Sequence, residues 1–234
     1  MDHLIGLVTS VRLMDLIADY FFICRPRWYR GYATTMSGEH LHERGREGAT
    51  RAKEWLEATT RVDAPWVNPE RFAVPKLTFK WADETSTFSY DLGGTLRGGD
   101  FNGQMFLAEV KYYSGVSDQP EMYVEYLAKC YRAFASRPER CDNFMWITWH
   151  PFSQGRWGKL TSAEEVEIAV LKHHARVLGT KDEAEALDAL DRQACKSVAD
   201  KLWLILLSER QELLVISREH RGLIRAHDIA KGGS

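Results

Sequence analysis

The chain has 234 residues, 44% hydrophobic and 27% charged, so it can bury a substantial core without disulfides or a structural metal. A formal net charge of -2 excludes a protein that grips nucleic acid over its whole surface by charge alone, so any such contact must be local. Cys24, Cys130, Cys141 and Cys195 have no CxxC spacing and no signal-peptide pattern is present, so a reducing, cytoplasmic compartment is expected.

In chain order, residues 4–24 are the most apolar early segment, but Arg12, Asp15 and Asp19 interrupt them. Charges at those depths argue against a membrane span and for an amphipathic helix, within a helical extension over residues 1–35. Arg25, Arg27 and Arg30 follow as a basic patch, suited to phosphate or simply solvated. Over residues 40–58, Leu41, Gly45, Ala49, Ala52, Trp55 and Leu56 recur at helical spacing, which predicts a helix with one buried stripe.

Beyond Pro65 and Pro69 the period becomes two: Leu77, Phe79 and Trp81 alternate with polar residues over 74–81, and Phe88, Tyr90 and Leu92 do so over 87–96. Both segments read as strands. Residues 97–103 are rich in types that tolerate positive φ, which predicts a hairpin into a returning strand at 104–113. That strand is apolar on both faces and is expected to be central. Asp118 and Glu121 form a capping-box pattern ahead of a helix striped by Tyr123, Tyr126, Cys130 and Phe134, and 143–149 reads as another buried strand.

A loop at 151–159 leads to helices opening at the boxes Ser162 to Glu165 and Thr180 to Glu183, then to a hairpin pairing 202–207 with 213–217. The sequence thus predicts a single α/β domain, α+β in element order. A core over 40–150 runs helix, three antiparallel strands, helix, strand, with a helical and hairpin extension over 160–230.

Glu109 and Lys111, two apart on the central strand, leave it on one face, the face that also carries Met105 and Leu107. Lys and Glu are almost never fully buried unless paired or bound to a metal. The hairpin brings Asp91 beside them, and two converging carboxylates repel unless a cation or a shared proton intervenes. Mg²⁺ suits such a site, because two carboxylates and a backbone carbonyl such as that of Val110 suffice while water fills its other positions. The alternative is a salt-bridged face on an ordinary sheet. The histidines His40, His42, His150, His173 and His174 have no spacing typical of structural zinc.

Asp91 followed by Glu109-Val110-Lys111, in this element order, resembles the PD-(D/E)XK nuclease superfamily. Its restriction-endonuclease-like αβββαβ core, a mixed sheet flanked by helices, places an Asp on the second strand and (Asp/Glu)-x-Lys on the third. The resemblance covers residues from about 41 to 150. It implies a DNA endonuclease using Mg²⁺ or Mn²⁺, in which Asp91 and Glu109 bind metal and Lys111 assists the attacking water.

Many members add a Glu from the first helix, for which Glu47 is the candidate here, although Ala49 stands at the aligned Glu position of the resolvase-like members. The alternative for Glu47 is an exposed partner of Arg51. Gln119 and Tyr123 are similar to the Gln/Tyr signature of RecB-type nucleases and, with Lys129, are candidates to face DNA; capping and core packing are their other roles. Arg97, His150, Arg156 and Lys159 are further candidate contacts. The last three sit in or beside an aromatic, basic loop suited to stacking and phosphate contact, or to capping the core.

The resemblance also implies bacterial anti-phage defence or DNA processing, with DNA as substrate and no membrane. A homodimer or a partner protein, an ATPase/helicase or sensor, would supply specificity. Two alternatives stay open: a catalytically silent DNA-binding or assembly subunit, and an RNA-cleaving nuclease.

Overall fold

The computed structural model describes residues 38–112 and 118–231, all within one compact unit, Gly38–Ser234. The amphipathic helix expected at 4–24 and the basic patch at Arg25, Arg27 and Arg30 lie outside the described residues.

The first helix, α1 (Gly38–Ala58), turns its small and apolar stripe inward, burying Gly48, Ala49, Ala52 and Leu56 and exposing Arg46 and Glu47. Next comes β1 (Val62–Val67), which the sequence reading left out. Pro65 breaks the expected ladder, and the strand tolerates it because its pairing shifts register between Asp63 and Trp66 and because it lies at the sheet edge.

A single helical turn, α2 (Val74–Leu77), precedes β2 (Thr78–Lys80), which pairs antiparallel only with β3 (Thr87–Ser89) in a small separate ribbon. The expected strand at 74–81 is therefore not part of the main sheet. The expected strand at 87–96 is two strands, since the chain leaves the ribbon at Tyr90 and Asp91 and enters the main sheet as β4 (Leu92–Leu96).

The hairpin at 97–103 forms as expected, with Gly98, Gly99 and Gly103 at positive φ, and returns as β5 (Met105–Lys111). Helix α3 (Gln119–Ser136) then crosses to β6 (Asn143–Thr148), which runs parallel to β5. Asp118 is the N-cap residue of α3 but its side chain makes no capping bond, so the expected box does not form.

Past the loop come α4 (Ala163–Lys172), capped by Ser162 through the Glu165 N–H as expected, α5 (His174–Val177), α6 (Glu183–Ala189) and α7 (Arg192–Ala199). Asp182, rather than Thr180, caps α6. The expected C-terminal hairpin is also replaced. β7 (Leu202–Leu206) pairs parallel with β6, and the chain continues through α8 (Glu209–Glu212) to α9 (Arg218–Ala230) with no strand at 213–217.

The result is a mixed five-stranded sheet in the order β1-β4-β5-β6-β7, antiparallel across its first three strands and parallel across its last three. Its α1 face buries Ala52, Leu56, Val62, Leu92, Phe106, Val110 and Ile147 in one cluster. The other face, bearing Trp146, lies under α3, where Tyr123 and Tyr126 meet that indole at 5.2 Å each. Cover on both faces explains why β5 and β6 are apolar on both sides, each large side chain contributing roughly 1.5–3 kcal/mol by burial.

Candidate metal centre

The β4–β5 ladder ends at Leu92 opposite Ala108. One residue earlier, the Asp91 N–H still donates to the Ala108 carbonyl at 3.0 Å, but its side chain now takes over the next position: Asp91 Oδ2 accepts from the Val110 N–H at 2.8 Å. The carboxylate substitutes for a missing ladder carbonyl, which fixes it against the C-terminal end of β5 where the chain turns out of the sheet toward β3.

Glu109 leaves β5 on the α3 face and is 6% exposed. Lys111 donates to its Oε1 at 2.8 Å, and Lys129, from α3, reaches the same oxygen at 3.3 Å. Oε2 of Glu109 is buried and makes no hydrogen bond among the described residues. Trp146, opposite Glu109 in the parallel register, floors the site, and the Lys111 ammonium stands 5.7 Å from its ring centre.

The electrostatics follow from this packing. Burial raises the Glu109 pKa, but Lys111 and Lys129 outweigh it and hold the group below its ordinary value. Asp91 moves the other way: burial and the Glu109 charge push it up to about 6 against the pull of Lys111, the Val110 N–H and Lys129. The two carboxylates thus sense each other's charge, as converging groups must. Among the described residues no three His, Cys, Asp or Glu side chains cluster as a ready-made ligand set.

The remaining candidates divide. Glu47 is exposed on α1 with its carboxylate 3.5 Å from Arg51, the exposed-partner geometry weighed against the ligand role. Arg51 itself makes a two-bond pair with Glu212, at 2.8 and 3.0 Å, and lies 4.4 Å from the Tyr112 ring centre. Gln119, the first residue of α3, is buried, accepting from Thr148 Oγ1 at 3.1 Å while its Nε2 has no hydrogen-bond partner among the described residues. Tyr123 is buried and donates to the Leu160 carbonyl at 2.8 Å, so both residues pack inward.

The loop aromatics cap the core: Trp149 and Phe152 are buried, Phe152 lying 5.2 Å from Tyr123 between ring centres. Arg156 pairs with Glu165, Lys159 is exposed, and the His150 backbone is held by the Thr148 hydroxyl. Arg97 lies at the opposite end of β4 from Asp91, donating to the Val62 carbonyl at 3.3 Å.

Two features escaped the sequence reading: the Lys129 pairing with Glu109, and the capping of Val110 by Asp91. The first left a trace, since Lys129 stands one turn after Tyr126, beside a buried stripe that should hold no cation unless a charge awaits it. Comparisons with protein-family models, curated proteins and solved structures returned no match.

Proposed function

We propose that this chain is a metal-dependent nuclease of the PD-(D/E)XK kind, hydrolysing phosphodiester bonds in DNA at the Asp91, Glu109 and Lys111 site. One observation carries the reading: where β4 and β5 part, Asp91 lies close enough to Glu109 to feel its charge, and one buried oxygen, Glu109 Oε2, has no hydrogen-bond partner among the described residues. An unsatisfied buried carboxylate oxygen beside a carboxylate whose pKa is raised to about 6 suits a hard divalent cation. Asp91 and Glu109, with the Val110 carbonyl, would hold Mg²⁺ or Mn²⁺. Such an ion, when bound, lowers the pKa of a water and stabilises charge on a phosphodiester.

The chain's own residues supply the rest. Lys111, held to Glu109 Oε1, carries a positive charge to the point where the attacking water and a scissile phosphate would meet. Lys129 keeps Glu109 ionised and fixes its rotamer from α3. The Val110 N–H fixes Asp91 in the same way. A role in bacterial defence or DNA processing, with DNA and a second copy or a partner protein as company, belongs to the same proposal.

A second reading is favoured by the same lysines. Two ammonium groups already pair with Glu109 Oε1, as they would in a catalytically silent DNA-binding or assembly subunit. Cleavage of supercoiled, linear and single-stranded DNA, and of RNA, in Mg²⁺, Mn²⁺ or EDTA separates the two. The expected result is metal-dependent cutting that falls about a hundredfold or more in both Asp91→Ala and Lys111→Ala at equal folded concentration. Intact substrate throughout, with no Mg²⁺ or Mn²⁺ binding by calorimetry, establishes the silent subunit instead.

A further inference from the structure

At the end of the sheet away from Asp91, the chain builds a second charged site. The Arg97 N–H donates to the Arg61 carbonyl at 2.8 Å, so these two arginines sit opposite one another just past the last β1–β4 pair, Val62 with Leu96. Like charges placed across a strand pair repel. α9 adds a third cation, Arg225, tethered at 3.4 Å to Asp63. Together they line a cavity of about 100 Å³ with Thr60 and Asn102, against one carboxylate, Asp228. The Arg97 guanidinium spends one nitrogen on the Val62 carbonyl, and its Nε is buried with no hydrogen-bond partner among the described residues.

We propose that this cavity binds a phosphate oxyanion. Three arginines lining a space of a few water volumes suit a tetrahedral anion with several oxygens better than a carboxylate, which one Arg fork satisfies. An anion there relieves the Arg61–Arg97 repulsion. The phosphate belongs either to a small phosphorylated compound or to a nucleic-acid backbone. The site lies six residues along the strand from Asp91, roughly 20 Å away, and does not rest on the metal reading.

Calorimetry of the full chain with inorganic phosphate, pyrophosphate and acetate at matched ionic strength tests this. Wild type should take phosphate or pyrophosphate in preference to acetate, and Arg61→Gln and Arg97→Gln should each weaken binding about tenfold or more. Arg61 is exposed, so Arg61→Gln leaves the fold intact. Equal acetate binding, or variants that bind as wild type does, overturns the site. A short DNA duplex that displaces phosphate and loses affinity in Arg61→Gln identifies the backbone as the source; displacement by a nucleoside monophosphate but not by DNA identifies a small compound. Asp91→Ala should retain phosphate binding, so failure of the nuclease reading leaves this result separate.

Discussion

Asp91 is held where ionisation is penalised by burial and by the Glu109 carboxylate, with Lys111, the Val110 N–H and Lys129 relieving the penalty only in part. Its pKa in the fold, about 6, lies above its ordinary 3.8, so between those values the native state keeps a proton that the unfolded chain has released. The contribution of Asp91 is therefore fully present below about pH 4 and is lost as the pH rises through about 6. Asp91→Asn removes the charge while its amide oxygen can still accept from Val110. In metal-free buffer it should raise stability by about 1–3 kcal/mol near pH 7.5 and by almost nothing near pH 4. Denaturant titrations at the two pH values read this directly, and a variant less stable than wild type near pH 7.5 contradicts it. Saturating Mg²⁺ at the proposed site should reverse the order, because only wild type gains binding free energy.

Between elements, close approach sets the tolerances. A Cβ at Gly94 of β4 would stand 2.1 Å from the Asp63 carbonyl oxygen and 2.8 Å from the Ala64 Cα, where β1 shifts its register. The β1 backbone cannot yield there, so Gly94→Ala should lose about 3 kcal/mol or more. Gly45, exposed in α1 with nothing near its missing Cβ, should gain about 0.5–1 kcal/mol as alanine. Thermal melts of the two variants should move in opposite directions; a matching drop in both would mean that helix propensity is not what acts at Gly45. The same strand pairings show what the sequence could carry. Local period made α1, β5, α3 and β6 legible, and with them the same-face placement of Glu109 and Lys111. The alternation of Phe88, Tyr90 and Leu92 runs unbroken through the point where the chain changes partner, so nothing local separates β3 from β4. Pro65 hid β1, and β7 was taken for half of a hairpin because its true neighbour, β6, lies more than fifty residues away.

Across the whole molecule, the sheet and the helices on its two faces form a core that does not depend on the last helix. α9 buries none of its residues and leaves Leu223 69% and Ile229 68% exposed. Among the described residues, its ion pairs with the body are Arg221 with Glu57 at 3.2 Å and Arg225 with Asp63 at 3.4 Å. Exposed pairs contribute about 0–1 kcal/mol each, and the half-buried Arg221 pair somewhat more. Ending the chain at Ser217 should therefore lower stability by only about 1–2 kcal/mol in urea. It should leave the Asp91, Glu109 and Lys111 site unchanged, since no residue of α9 touches it, while removing Arg225 and Asp228 from the arginine cavity. Hydrogen exchange on the intact chain should show the α9 amides opening well before those of β5 and β6. A truncated chain that fails to fold would mean that Leu223 and Ile229 of this helix are covered in solution, and that the stable unit includes whatever covers them.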